Sequence, residues 1–162
     1  MIRVADVKDA AAVRDIWNRM VEETLATFTS TAKTESEIEA LISGRPGAFF
    51  VAEDQGRLVG FVTFGSFRSG DGYARTVEHT VVILPAHAGQ GIGRMLMNKA
   101  IEAAAKQGKH VMIGAISGAN PEAVAFHESL GFERSGHLSE VGWKRGKWLD
   151  LVLMQKMLPS LL

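Results

Sequence analysis

The strongest constraint on the fold of this chain is a β-branched segment that leads directly into a glycine-rich loop and then into a helix. The segment VEHTVVILP covers residues 77–85, and the loop AGQGIG that follows contains Gly89, Gly91 and Gly93. From Ile92 onwards, apolar residues recur at helical spacing. A helix N-terminus carries unpaired N–H groups and a partial positive charge, and glycines let an anion approach the backbone closely. The segment therefore predicts an α/β fold in which a helix N-terminus binds an anionic group.

The N-terminal half of the chain adds two helices and three strands. A strand at IRVA precedes the helix AAAVRDIWNRMVEE, for which Asp9 is the expected cap. The helix TESEIEALIS opens with a capping box of Thr34 and Glu37. The segments AFFVAED and RLVGFVTFGSF, joined at QG, are typical of a β-hairpin, and a further strand is predicted over residues 73–84.

The C-terminal half continues the alternation. The helix after the glycine loop is expected to end near Gly108, and HVMIGAI is typical of a strand buried on both faces. A helix is predicted from Asn120 to Gly131, and two strands, FERSGHLSEVGW and KWLDLVLMQKML, are joined at KRG. The order βααβββαβαββ predicts an α/β (α+β) chain with a mixed sheet, and a single domain over residues 1–162.

Composition excludes several classes of function. Eighteen basic and eighteen acidic residues balance, which predicts no attraction to nucleic acid or to an anionic membrane. The chain has no cysteine, so disulfides, thiolate metal sites and cysteine nucleophiles are excluded. Its histidines lack metal-ligand spacing, so no metal is expected. There is no signal-peptide pattern and no apolar run near the roughly 20 residues that span a bilayer, which favours a cytoplasmic location.

Two common phosphate-binding loops do not match the glycine segment. A Walker loop ends in Gly-Lys-Ser/Thr, which is absent here. The dinucleotide fingerprint would need a glycine at Arg94 and an acidic residue near Ile113. A coenzyme A loop is the third possibility.

The segment from Pro85 to Gly93 resembles the coenzyme A loop of the GNAT N-acetyltransferases, whose motif is Gln/Arg-x-x-Gly-x-Gly/Ala after a strand that ends in proline. The Gln/Arg position is Ala88 here, from which we expect weaker coenzyme binding. The resemblance covers nearly the whole chain and narrows to the phosphinothricin and methionine sulfoximine acetyltransferases at TVEHTV, GKHVMIGAISGAN, FHESLGFE and VGWKRGKWLDLVLMQ. It implies the GNAT acyl-CoA N-acyltransferase fold, with a mixed, mostly antiparallel central sheet flanked by helices.

The resemblance also implies which residues bind the cosubstrate acetyl-CoA. The pantetheine arm would pair with the strand residues Val81, Val82 and Ile83. The pyrophosphate would lie on backbone N–H groups of the glycine loop, at Gly89, Gln90, Gly91, Ile92, Gly93 and Arg94. Asn120 would contact the coenzyme from the next strand–helix junction, a role compatible with capping that helix.

Glu78 is the candidate general base. An amine must lose a proton before it attacks an acetyl group, and a nearby carboxylate can accept that proton. A structural salt bridge is the alternative role for this residue. Because there is no cysteine, the amine is expected to attack acetyl-CoA directly. His127 lies where many relatives carry a tyrosine as the acid to the leaving thiolate, and it would either donate a proton or line the coenzyme sulfur.

The acceptor would be a free amino acid analogue, whose carboxylate arginine can bind in a bidentate manner. Arg68 matches a family arginine, and Arg75 lies one residue after a second such position. The full set of candidate acceptor residues is Arg68, Ser69, Gly70, Arg75, Glu78, His79 and Thr80. In a regular strand, His79 would point away from the face that carries Glu78.

Two segments have more than one interpretation. Phe28 stands where relatives carry an aromatic residue, and either walls the acceptor pocket or packs in the core. The basic residues Lys144, Arg145 and Lys147 are typical of a solvated hairpin turn, which could contribute to a dimer contact. The resemblance implies a homodimer.

The function predicted from the sequence is acetyl transfer from acetyl-CoA to the α-amine of methionine sulfoximine, phosphinothricin or methionine sulfone. Two alternatives remain open at this point. The same machinery could acetylate a peptide or protein N-terminus or a polyamine. A coenzyme A-binding sensor without turnover is the other alternative, and Ala88 makes it plausible.

Overall fold

The computed structural model describes residues 1–160, which form seven strands and four α-helices. The strands are β1 (Ile2–Val4), β2 (Phe49–Asp54), β3 (Arg57–Ser66), β4 (Thr76–Ile83), β5 (Val111–Ser117), β6 (Glu133–Lys144) and β7 (Lys147–Met157). The helices are α1 (Ala10–Glu23), α2 (Glu35–Gly44), α3 (Ile92–Lys106) and α4 (Pro121–Ser129). The order along the chain matches the predicted order, and the prediction of an α/β class is confirmed.

A single sheet of order β1-β2-β3-β4-β5-β7-β6 organises the molecule. The β4–β5 pair is parallel and the other neighbours are antiparallel. β4 pairs with β3 from Val77 to Ile83, but it pairs with β5 only over Thr76–Glu78. Beyond Glu78 the two strands separate and leave a wedge between them. β5 stays paired with β7 from Val111 to Ser117, so the wedge opens on one side of it only.

Helices cover both faces of the sheet. α1 and α2 pack on one face through residues such as Trp17 and Ile38, which meet Phe61 of β3. α3 packs on the other face, where Leu96 and Met97 are fully buried. Because side chains alternate along a strand, β4 contributes to both layers.

Two local features differ from the prediction or refine it. Asp9 does not cap α1 with its side chain, since its carboxylate accepts from Arg3 at 2.8 and 2.9 Å. The cap belongs instead to Asp6, at a 3-10 turn that leads straight into α1. The capping box of Thr34 and Glu37 is confirmed at the start of α2.

The prediction that Lys144 belongs to a solvated hairpin turn is wrong, because its side chain is buried. Its Nζ donates to the carbonyls of Val21, Thr24 and Thr27 at 2.8, 2.9 and 2.9 Å. The last carbonyls of a helix lack partners within the helix, and here a lysine from β6 satisfies them at the end of α1. Burial lowers the pKa of Lys144. The ammonium thereby ties the β6–β7 hairpin to the α1–α2 connection.

Phe28 lies in the same connection and packs against the hairpin. A Cβ built on Gly142 would stand 2.6 Å from the Phe28 ring, so only glycine leaves room for the ring at that position. This contact favours the packing role for Phe28.

We expect Lys144→Met to lower the free energy of unfolding by about 2–4 kcal/mol, because three carbonyls lose a charged donor. Thermal unfolding checks this, with the exposed neighbour variant Lys147→Met as the control. If Lys144→Met lowers the free energy of unfolding no more than Lys147→Met does, the three hydrogen bonds of Lys144 do not stabilise the fold as proposed.

Candidate active site

The wedge between β4 and β5 exposes backbone hydrogen-bonding groups. Leu84 N–H donates to Val59 of β3 at 2.8 Å, and backbone groups alternate in direction along a strand. The N–H and C=O groups of Val81 and Ile83 therefore point away from β3 and into the wedge. An extended ligand that offers amide groups can pair with this edge as an added strand would.

A cavity of about 670 Å³ continues from the wedge to the N-terminus of α3. Gly89 and Gly91 adopt φ values of 78° and 82°, which only glycine adopts readily, and no atom lies within 4 Å of a Cβ built there. The N–H groups of Ile92, Gly93 and Arg94 have no partner within the helix, since the first bond of the series runs from Met95 to Gly91. The loop is therefore a backbone cradle suited to a phosphate group.

Most of the predicted coenzyme residues line this cavity. They are Val81, Ile83, Gly89, Gly91, Gly93, Arg94 and Asn120. Three others do not: the Val82 side chain is buried on the α1 face, Ile92 packs against the core, and Gln90 is exposed. His87, which the sequence did not point to, also lines the cavity, and its buried Nδ1 has no hydrogen-bond partner among residues 1–160.

A second cavity, of about 300 Å³, lies beside Glu78, His79 and Thr80. Its other walls come from α1, from the connection held by Lys144, and from β5 and α4. Val81, Asn120, Ala123 and His127 line both cavities, so the two meet at His127. A ligand that fills the first cavity can place its end next to a second molecule bound beside Glu78.

Glu78 has the environment expected of a base. It is half-buried, and the ion pairs formed within residues 1–160 do not include it. Burial raises the pKa of Glu78, and the positive charge of Arg45 acts in the opposite direction. This arrangement does not support the salt-bridge role, since no partner neutralises the carboxylate directly.

Arg45 is a site residue that sequence reasoning missed. Its guanidinium lies over Gly65, where an added Cβ would stand 2.7 Å from Nη2, and its Nη1 donates to Thr63 at 3.1 Å. Gly65 is the cross-strand partner of Glu78, so the guanidinium and the carboxylate lie on the same face of the sheet. The glycine opposite Glu78 was the available signal, because it leaves space above the sheet at that point.

His79 lies on the opposite face from Glu78, as a regular strand requires, and the β3–β4 register has no bulge. It is buried and contacts His127 of α4, with the two Nε2 atoms 2.8 Å apart. The two candidate residues are therefore neighbours, although they are 48 positions apart in the sequence.

The predicted acceptor arginines lie outside the cavity beside Glu78. Arg68 and Arg75 are exposed, as are Ser69 and Gly70. The guanidinium of Arg68 lies 5.3 Å from the centroid of the Phe67 ring. Their role in acceptor binding stays a prediction.

Within residues 1–160 there is no group of three or more His, Asp or Glu side chains that could hold a metal ion. No α-helix in this part of the chain is both long enough and apolar enough to cross a membrane.

A strand edge that can pair with an extended chain, a phosphate cradle, and a half-buried carboxylate in the adjoining cavity together define a group-transfer site. The Acetyltransferase (GNAT) family matches residues 13–132. An L-methionine sulfoximine/L-methionine sulfone acetyltransferase of Salmonella typhimurium is 41% identical over 95% of this chain and 92% of its own length.

Two solved structures have the same fold. An acetyltransferase from Salmonella typhimurium, solved with its cofactor acetyl-CoA, gives a TM-score of 0.95 at 39% identity, over 99% of this chain and 94% of the other. A phosphinothricin acetyltransferase from Sinorhizobium meliloti in complex with acetyl-CoA gives a TM-score of 0.93 at 31% sequence identity, over 98% of this chain and 88% of the other. The chain belongs to the GNAT acetyltransferase family. The predicted family, fold and enzyme class are confirmed, and acetyl-CoA is the ligand of both solved relatives.

We expect Gly91→Val to abolish coenzyme A binding, because a β-branched residue is strained at this positive φ and would project into the open cradle. Titration calorimetry with coenzyme A measures the effect. Gly108→Val is the matched control, since Gly108 has a φ of 77° and open space around an added Cβ, and it follows the C-terminal end of α3, the end opposite the cradle. Equal affinities in the two variants would contradict the cradle.

Proposed function

We propose that the protein transfers the acetyl group of acetyl-CoA to the α-amine of a small amino acid analogue, with Glu78 as the general base. Methionine sulfoximine, methionine sulfone and phosphinothricin are the proposed acceptors. The observation that carries the proposal is the position of Glu78, in the cavity that meets the coenzyme cavity at Val81 and His127. The names of the similar acetyltransferases support the acceptor class.

The chain's own groups suit the binding of acetyl-CoA. The backbone of Val81 and Ile83 would pair with the pantetheine amides, and the cradle from Gly89 to Arg94 would hold the pyrophosphate. With both ends bound in this way, the thioester lies near the junction of the two cavities. Acetyl-CoA supplies the activated acetyl group, and the protein supplies position, a base and hydrogen-bond donors.

Glu78 would accept the proton that the ammonium group of the acceptor must lose. Its raised pKa makes it a stronger base than an exposed carboxylate. The N–H of Val81 or Ile83 can donate to the thioester oxygen as negative charge develops there. His127 lies at the junction, where the sulfur would leave.

Glu78→Gln is expected to lower kcat by roughly 10²–10⁴-fold at neutral pH, because the amide cannot accept the proton. The release of coenzyme A thiol measures turnover, and calorimetry should show unchanged coenzyme binding. A variant that keeps full activity would remove Glu78 from the mechanism.

The carboxylate of the acceptor has two candidate partners. Arg68 is the residue that the sequence suggests, but it is exposed outside the cavity. Arg45 does not line the cavity either, but it is half-buried on the face that carries Glu78, where burial lowers its pKa and the charge of Glu78 acts in the opposite direction. An α-amino acid carries a carboxylate next to its ammonium group, so a guanidinium on the same face as a carboxylate complements it in charge. The position of Arg45 over Gly65, the partner of Glu78, therefore makes it the proposed partner of the acceptor carboxylate.

Arg45→Met should move the acid limb of the kcat/KM profile to higher pH. Arg45 lowers the pKa of Glu78, so its removal raises that pKa. The base form of Glu78 is lost as pH falls through its pKa, and this loss would then begin at a higher pH. The acceptor KM should rise as well.

Arg68→Met is the matched control and is expected to leave the acid limb in place. A larger rise in acceptor KM for Arg68→Met than for Arg45→Met would assign the carboxylate to Arg68. An unchanged acid limb in Arg45→Met would show that Arg45 does not act on Glu78.

A homodimer is proposed on the strength of an apolar surface on the β6–β7 hairpin. Leu138, Val141, Trp143 and Trp148 are 45%, 56%, 55% and 61% exposed. The two tryptophan rings contact each other at an angle of 57°, with centroids 4.4 Å apart, and together expose a large apolar surface. Patches of this kind on a soluble chain commonly mark an interface.

A panel of amines separates the acceptor classes. Saturable thiol release with methionine sulfoximine or phosphinothricin supports the proposed function. Turnover only with peptides or polyamines would assign a different class of acceptor and contradict the proposed amino acid site. Coenzyme binding with no turnover on any amine would favour a coenzyme A sensor.

A further inference from the structure

His79 and His127 form a buried chain of three hydrogen bonds that links β4, β5 and α4. The Nδ1 of His79 lies 3.0 Å from the carbonyl oxygen of Ile113, and the Nδ1 of His127 lies 2.7 Å from that of Ala123. The two Nε2 atoms lie 2.8 Å from each other. All four ring nitrogens are therefore engaged.

The number of protons follows from these contacts. A carbonyl oxygen only accepts, so each Nδ1 must carry a proton to donate. The contact between the two Nε2 atoms needs one more proton, since two lone pairs at this distance repel. The chain of hydrogen bonds is complete with three protons, whereas two neutral imidazoles hold two. The pair therefore binds a third proton and one positive charge when all three bonds form.

The surroundings make that third proton acidic. Both rings are buried, with Phe132 packed 5.6 Å from the His79 ring and 5.2 Å from the His127 ring. Burial, and then the charge of His127, lowers the pKa of His79 to about 3, and burial lowers the pKa of His127. The hydrogen bonds favour the third proton and the apolar environment opposes it, so the pair gives it up readily to a stronger base.

No carboxylate compensates the charge directly. Besides the two histidines, the charged residues of β4, β5 and α4 are Glu78, Glu122 and Glu128, and Glu128 pairs with Arg134 at 3.5 Å. Glu78 faces the other side of β4, and within the described residues none of these groups hydrogen-bonds to either ring. Gly114 of β5 leaves the space for the pair, since a Cβ there would lie 3.1 Å from His79 Cε1.

We infer that His79 is the positioning residue that lets His127 hold a shared third proton and deliver it to the thiolate of coenzyme A. The inference rests on the proposed function, in which the sulfur lies where His127 lines both cavities. A negative charge that develops on the sulfur favours the positively charged form of the histidine pair, so the pair carries its third proton at the stage when the thiolate forms.

The proton transfer balances in atoms and charge. The N–H bond at Nε2 of His127 breaks and an S–H bond forms, so the thiolate becomes a thiol and the cationic pair becomes neutral. A thiolate is more basic than this pair, which makes the transfer favourable. The contact between the two Nε2 atoms then lacks a proton, and the pair regains one from water that enters through the open cavities.

NMR of the uniformly ¹⁵N-labelled whole chain tests the shared proton without any turnover. A scalar coupling between the Nε2 atoms of His79 and His127 is expected once the third proton binds, together with three ring N–H protons for the two residues. The pH midpoint at which this coupling appears should be higher with a bound coenzyme A analogue in which a carboxylate replaces the thiol than in the free protein. Absence of the coupling at every pH at which the protein stays folded would overturn the inference, whatever the activity.

Kinetic variants test the role of His79. His79→Phe should lower kcat by about tenfold to a hundredfold, while the KM for acetyl-CoA changes little. This loss is no larger than the smallest rate contribution that a general acid usually makes. His79→Gln should recover part of this loss, because its side-chain oxygen can accept from His127 Nε2. The basic limb of the kcat profile should differ between these two variants.

Phe132→Leu is the packing control, since it removes the ring that touches both histidines but no polar atom. It should keep the wild-type pH profile. Identical pH profiles for wild type, His79→Phe and His79→Gln would overturn the positioning role. If the wild type shows no turnover at all, the proposed function is contradicted instead. The NMR experiment would still decide whether the two histidines share a proton.

Discussion

The separation of β4 from β5 after Glu78 is the constraint on which the rest of the site depends. A fully paired sheet would satisfy its own backbone groups and leave nothing for a ligand. Here the pairing stops after three residues, and the N–H and C=O groups of Val81 and Ile83 are left facing a gap. The same separation creates two cavities that meet at His127, with the glycine cradle at one end and Glu78 at the other. The open strand edge and the two adjoining cavities are therefore consequences of one interruption in the pairing of the sheet.

Charge is distributed in the site according to burial. Glu78 keeps a raised pKa because it is half-buried, and Arg45 limits that rise from across Gly65. On the other face of β4, two histidines are buried without a carboxylate beside them. Their three hydrogen bonds are complete only with a third proton, and burial disfavours the positive charge that this proton brings. The carboxylate of Glu78 and the ring of His79 thus lie on opposite faces of one strand, one residue apart in the sequence, and His79 contacts His127 of α4. Strand alternation alone gives this separation of the two side chains.

The acceptor cavity depends on contacts between distant parts of the chain. Its outer wall is the connection between α1 and α2, and Lys144 holds that connection through three carbonyls. Because a buried ammonium is stable only when its donors are all used, the connection and the hairpin are locked together. The acceptor pocket is therefore shaped by β6 and β7, although these strands contribute no residue near Glu78 to its lining.

The order of the elements, the glycine cradle and the candidate base follow from the sequence alone, because these depend on periodicity, turn chemistry and motifs that lie within a few residues of one another. His79 and His127 were each indicated separately. The contact between these two rings, the place of Arg45 on the Glu78 face, the exposure of Arg68 and Arg75, and the burial of Lys144 follow only from the tertiary fold. Each of these depends on contacts across 18 to 123 positions or on the burial that such contacts create, and local sequence patterns carry no record of either.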